Sequence, residues 1–151
     1  MSGMPTLTPG DGQDLLARVK RARERRDVDA AVALFRPDAE YRHDPFEPAL
    51  SGELAIRSWW TSLAEAETHV EFDAERVWVT GSTVLASWHG AATRQLDAAR
   101  VRSRGFMTLE LDDAGLVVRM REWIVARSVG LDSTFKPEPI PAGITEAPDG
   151  R

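Results

Sequence analysis

Cysteine is missing from all 151 residues. That excludes a disulfide framework, a thiolate nucleophile, a Cys-based zinc site and an iron–sulfur cluster. Long apolar runs are missing as well, since no stretch approaches the ~20 residues a membrane helix needs. Met1 to Gly12 carries no apolar leader core. The expectation is a cytoplasmic address with no membrane partner. No Gly-rich phosphate loop and no Gly-x-Ser-x-Gly elbow occurs. Nucleotide binding and serine hydrolysis therefore lack support, and no cofactor is expected. A surplus of positive charge is lacking too. The net charge is -5 and the pI about 5.2, which disfavours a nucleic-acid partner. The remaining composition, 42% apolar and 28% charged, is that of an ordinary globular chain long enough for one core.

Proline and glycine cluster at the two ends. We divide the chain into a flexible lead over 1–11, one domain over 12–128 and a Pro/Gly-rich extension over 129–151. Within the domain, Leu15, Leu16, Val19 and Ala22 recur at helical spacing and predict a helix over 14–26. The basic run from Arg18 to Arg26 falls mostly on its other face and reads as a solvated surface. Its alternative reading is a grip on an anionic partner. A second helix is predicted over 28–35, stopped by Pro37, followed by a short strand over 39–44. Ser51 is placed to cap a third helix over 53–66, with Ile56, Trp59, Trp60 and Leu63 on its buried side.

Beyond Glu67 the period becomes that of strands. Val70, Phe72 and Ala74 alternate with charged residues, and the phase slips at Glu75–Arg76, which predicts a bulge. Residues 84–93 are apolar on both faces and predict a central strand. Strands over 101–111 and 116–127 are joined by the turn Asp112-Asp-Ala-Gly115. Gly105 suggests a bend or bulge. Three N-terminal helices packed on a strongly curved, mostly antiparallel sheet make an α+β cone around an interior space.

Four segments resemble the NTF2-like superfamily, and its SnoaL-like branch in particular. They are Asp27-Val-Asp-Ala-Ala-Val-Ala-Leu-Phe35, Asp38-Ala-Glu-Tyr-Arg-His-Asp-Pro45, Leu50-Ser-Gly52 with Ala55, Ile56 and Trp60, and Leu111-Asp-Asp-Ala-Gly-Leu-Val118 with Arg121-Glu-Trp123. The resemblance implies the cone fold and a small-molecule pocket. By likeness to limonene-epoxide hydrolase, Tyr41 and His43 match a pocket Tyr and Asn, and Glu122 matches a pocket Asp. The hydrolase's Arg and second Asp fall near Ser87 and His89, so its charge pattern is not reproduced. By likeness to ketosteroid isomerase, the proton-shuttling Asp before the proline matches Asp44 or His43. That enzyme's oxyanion donors fall at Val19 and Met107, which cannot donate.

These likenesses imply cofactor-free acid–base chemistry, such as isomerisation, cyclisation, dehydration or hydration, on a small, apolar, ring-containing molecule. His43, Glu122, Tyr41 and Asp44 are the candidate catalytic residues. His89, Trp60, Trp88, Ser87 and Phe106 are candidates for substrate binding. His43, His89 and Glu122 are metal-ligand types, but no local spacing supports a metal, and none is expected. The alternative is a non-catalytic ligand carrier or dimeric interaction module. A homodimer through the outer sheet face, around Trp123 and Val125, is expected in either case.

Overall fold

The structure, a computed structural model, describes residues 6–129. Residues 1–5 and the extension beyond Val129 lie outside the described residues. Helix α1 (Pro9–Arg25) starts earlier than the periodicity predicts, inside the segment assigned to the lead. A capping box is the reason. Thr8 Oγ1 accepts from the Asp11 amide at 3.2 Å, and Asp11 accepts from the Thr8 amide at 2.8 Å. Pro9 supplies the preset φ of a first helical turn. Gly12 then lets the helix lie close on the sheet, because a Cβ there would sit 2.8 Å from Val79.

Helix α2 (Val28–Val32), capped by Asp27, is shorter than the predicted 28–35. The Leu34 carbonyl already accepts from the Val117 amide, and Phe35 opens strand β1 (Phe35–Arg42). Pro37 therefore lies inside a strand rather than ending a helix. The β1 pairing is interrupted between Phe35 and Glu40, where proline offers no N–H. Strand β2 (Leu50–Ser51) pairs with β1 and takes Ser51, so helix α3 (Glu53–Ala66) is capped by Gly52 without a side-chain bond. Ser51 is not the cap.

Strands β3 (Glu67–Thr80), β4 (Thr83–Arg94), β5 (Arg100–Leu111) and β6 (Val117–Val129) form an antiparallel meander. The six-stranded sheet runs β2-β1-β6-β5-β4-β3, and β1 lies parallel to β6. Two free edges leave the sheet curled but unclosed. The β3 register slips between Ala74 and Arg76, as the phase change predicts. Gly105, in contrast, lies in unbroken register on both sides. Its glycine answers packing, since a Cβ there would lie 2.6 Å from the Trp88 indole.

The core lies between the concave sheet face and the helices. Leu15, Ile56, Phe72, Val84, Met107, Leu109 and Val117 are its largest fully buried side chains. Each contributes about 1.5–3 kcal/mol by leaving water. Among the described residues no helix is long and apolar enough to cross a membrane.

Candidate functional site

Strand alternation decides which side chains enter the cone. On β6, Met120, Glu122 and Ile124 point inward. On β5, Ser103 and Met107 do so, as do Trp88 on β4, Phe72 on β3 and Tyr41 on β1. Val19 and Arg23 of α1 and Trp59, Trp60 and Leu63 of α3 cover the opening, and Glu67 borders it. Together they enclose a cavity of about 140 Å³. An apolar engineered cavity of ~150 Å³ admits one benzene ring, so this space suits a single small ring.

The Tyr41 hydroxyl donates a hydrogen bond to Glu122 Oε1, and both groups are buried. Glu122 is the only buried charged residue among those described. Burial pushes its carboxyl above the usual carboxylate range, while the Tyr41 hydrogen bond and the positive charge of Arg23 pull partly back. Burial likewise pushes the Tyr41 hydroxyl well above its usual value. The neighbouring Glu122 raises it further, and the Trp59 indole and Arg23 oppose this weakly. Tyr41 therefore stays a proton donor, and Glu122 is a carboxyl whose proton is held more tightly than in water.

Arg23 completes the group. Its guanidinium pairs with Glu67 at 3.3 Å and lies 6.0 Å from the centre of the Trp60 ring. The Trp60 ring in turn stacks on Tyr41 at 6.4 Å and 16°. The basic run is thus not simply a solvated face. Arg23 turns inward, Lys20 binds Glu24, Asp73 and the Phe72 carbonyl, and Arg26 binds the Ala64 and Glu67 carbonyls. The signal for Arg23 was present in the spacing. It falls four residues after Val19, on the apolar stripe, where a charge needs a partner.

The other candidates divide by location. Tyr41, Glu122, Trp60 and Trp88 meet at the cavity. His43 lies one layer out, with its imidazole stacked on Trp59 at 3.8 Å and 8°. It borders a surface depression instead of the cavity. Strand β1 ends at Arg42, so alternation no longer governs residue 43. Asp44 borders the same depression and accepts from the Phe46 amide at 2.9 Å, turning the chain away from the cone.

His89, Ser87 and Phe106 lie on the outer face, opposite in parity to Trp88 and Met107. This corrects the expectation that they line the pocket. His89 bonds Glu75 at 3.0 Å, and Phe106 packs between Trp78 and Trp123. A single step along a strand changes the face, so likeness to a position near Ser87 or His89, or aromatic character at Phe106, does not decide which side of the sheet a residue takes. His89 and Glu122 stand on opposite faces of the sheet, so with His43 they cannot converge on one ion. Glu67, Ser103 and Met120 are cavity residues that the sequence did not point to, and Trp59 and Met107 were not proposed for the pocket.

The structure is similar to several solved ones. The epoxide hydrolase/cyclase-like enzyme SalBIII, with a role in pyran ring formation in the polyether salinomycin, superposes with a TM-score of 0.70 at 22% identity, over 77% of this chain and 92% of that one. A limonene-epoxide-hydrolase-like epoxide hydrolase of M. tuberculosis gives 0.65 at 17%, over 77% and 84%. The Δ5-3-ketosteroid isomerase of Mycobacterium sp. gives 0.66 at 14%, over 78% and 98%. At these identities the likeness establishes the fold. A search of curated proteins finds no match. The family model for the SnoaL-like domain matches residues 16–120, and the chain therefore belongs to the SnoaL-like family, within the NTF2-like superfamily.

Proposed function

We propose that this protein binds a small, mostly apolar, ring-containing molecule in the cone and moves a proton on it without a cofactor. Glu122 takes or returns the proton, and Tyr41 holds the carboxylate by donating to Oε1. Arg23 supplies the positive field for negative charge that develops on the ligand. The observation that carries this reading is the buried Tyr41–Glu122 pair on the wall of a cavity large enough for one ring. A carboxyl of raised proton affinity works nearer neutral pH than one in water, which suits a general acid–base group. His43 and Asp44 are assigned to the mouth, where they can touch the exposed end of a longer ligand.

Exchange of α-protons in D2O, followed by NMR on a panel of small cyclic ketones, tests the reading. The wild type accelerates exchange on at least one ketone, and Glu122→Gln loses about 100-fold or more. Equal rates for the two proteins across the panel would sink the assignment. We further propose a homodimer through the outer sheet face, where Trp78, Trp123 and Val125 are 42%, 41% and 76% exposed.

A further inference from the structure

The outer face of the sheet carries a group of charges that the cavity does not use. Arg102 on β5 stands directly opposite Arg127 on β6 in the antiparallel register. It is the one place in the meander where two arginines face each other across paired strands. Like charges so placed cost stability. An acid close by would offset the cost. Strand β3 carries four acids, and all are engaged elsewhere: Glu67 with Arg23, Glu71 with Arg100, Asp73 with Lys20, and Glu75 with both Arg104 and His89. Among the described residues neither Arg102 nor Arg127 has an acidic partner.

The two arginines border a surface depression of about 490 Å³, together with Arg104, His89, Val125 and Val129. Arg104 and His89 share the single carboxylate of Glu75, so the rim is positive in a chain whose net charge is -5. Val125, 76% exposed, and Val129 give the depression an apolar part. Arg102 lies four residues from Phe106 along β5, so the depression sits beside the aromatic row of this face.

We infer that this depression is a second ligand site, which takes a small amphiphilic anion: a carboxylate or other oxyanion head on an apolar body. The head bridges Arg102 and Arg127, whose planar forks of N–H donors match an oxyanion. The body lies on Val125 and Val129. The site is on the opposite face of the sheet from Glu122, so it does not depend on the proposed use of the cavity. A repulsive pair kept for binding has a signature. Removing one charge weakens the ligand and stabilises the fold.

4-Phenylbutyrate and 4-phenylbutanamide share an apolar body and differ in the charge of the head. Binding is followed by the backbone amide peaks of the 15N-labelled full chain. 4-Phenylbutyrate is expected to bind more tightly than the amide and to move the peaks of Arg102, Val125 and Arg127, leaving those of Tyr41 and Glu122 in place. Sodium sulfate, a head without a body, is expected to move the same peaks with lower affinity. Arg127→Gln is expected to weaken 4-phenylbutyrate about 3- to 10-fold and the amide little. The same variant should melt about 1–4 °C above wild type. Arg102→Gln should repeat both effects. Arg18→Gln, on α1, makes the same change of net charge and should show neither.

Equal binding of the carboxylate and the amide overturns the inference. So does sulfate binding as tightly as 4-phenylbutyrate, which would assign the rim to inorganic anions. Shifts confined to the cavity, or no binding at all because a second copy or another segment of the chain covers the depression, overturn it as well. Unchanged affinity in both arginine variants, or melting temperatures no higher than that of Arg18→Gln, would do the same.

Discussion

At the scale of single residues, the buried carboxyl of Glu122 sets both chemistry and pH dependence. Its native pKa stands above the unfolded value, so on raising pH the unfolded chain gives up its proton first. The stability tied to this group is present below the unfolded value and falls as pH climbs through the native one. Asp97 has the opposite sign. Its hydrogen bond from Arg94 lowers it to about 2, so its small contribution is present above the ordinary carboxylate range and is lost as pH falls towards 2. Glu122→Gln keeps an acceptor for Tyr41 and removes the charge. We expect this variant to be more stable than wild type at pH 8 by about 1 kcal/mol, with the difference shrinking at pH 5. Urea unfolding at both pH values measures it, and a gap that grows on acidification would contradict the sign. Tyr41→Phe removes the donor and leaves the carboxylate less satisfied. It should cost about 1–3 kcal/mol and raise the Glu122 titration point further, which carboxyl 13C NMR reads directly.

At the scale of elements, strand packing at Gly105 and the seating of helix α1 shape the cavity wall. Strand β5 passes beneath the Trp88 indole at Gly105. A methyl there meets a buried ring on the facing strand, so the ring must shift. Gly105→Ala should cost about 1–3 kcal/mol in chemical denaturation and change the Trp88 contribution to fluorescence. Unchanged stability would mean that the indole has room to move. Helix α1 delivers Arg23 to the cavity because its apolar stripe carries a cation on the same face. Arg23→Met keeps the packing length and removes the charge. Glu122 should then titrate at still higher pH, since the Arg23 charge is one of the two influences holding it down.

At the scale of the whole molecule, the sheet presents two faces of different character. The concave face builds the cavity. The convex face carries Trp78, Phe106 and Trp123 in tilted ring contact, with centroids 6.2 Å apart for each neighbouring pair. Such an exposed aromatic row suits association with a second copy. Sedimentation at micromolar concentration should give a dimer for the wild type and a monomer for Val125→Glu. A monomeric wild type would exclude that use of the face.

The three helices, the meander, the bulge before Arg76 and the cone architecture were legible in the sequence, whereas strand β2, the start of β1 at Phe35 and the true caps of α1 and α3 were not. The legible parts follow from periodicity and turn chemistry, which act over a few residues. Tyr41 and Glu122 were singled out through the resemblance to limonene-epoxide hydrolase, and both line the cavity. His43 lies past the strand end and His89 one step out of phase, and neither position is decided locally. The parallel pairing of β1 with β6 and the inward turn of Arg23 come from contacts between residues far apart in the chain. Local sequence determined which faces are apolar. Only the tertiary fold decided which polar groups those faces enclose, because that depends on which strands and helices meet.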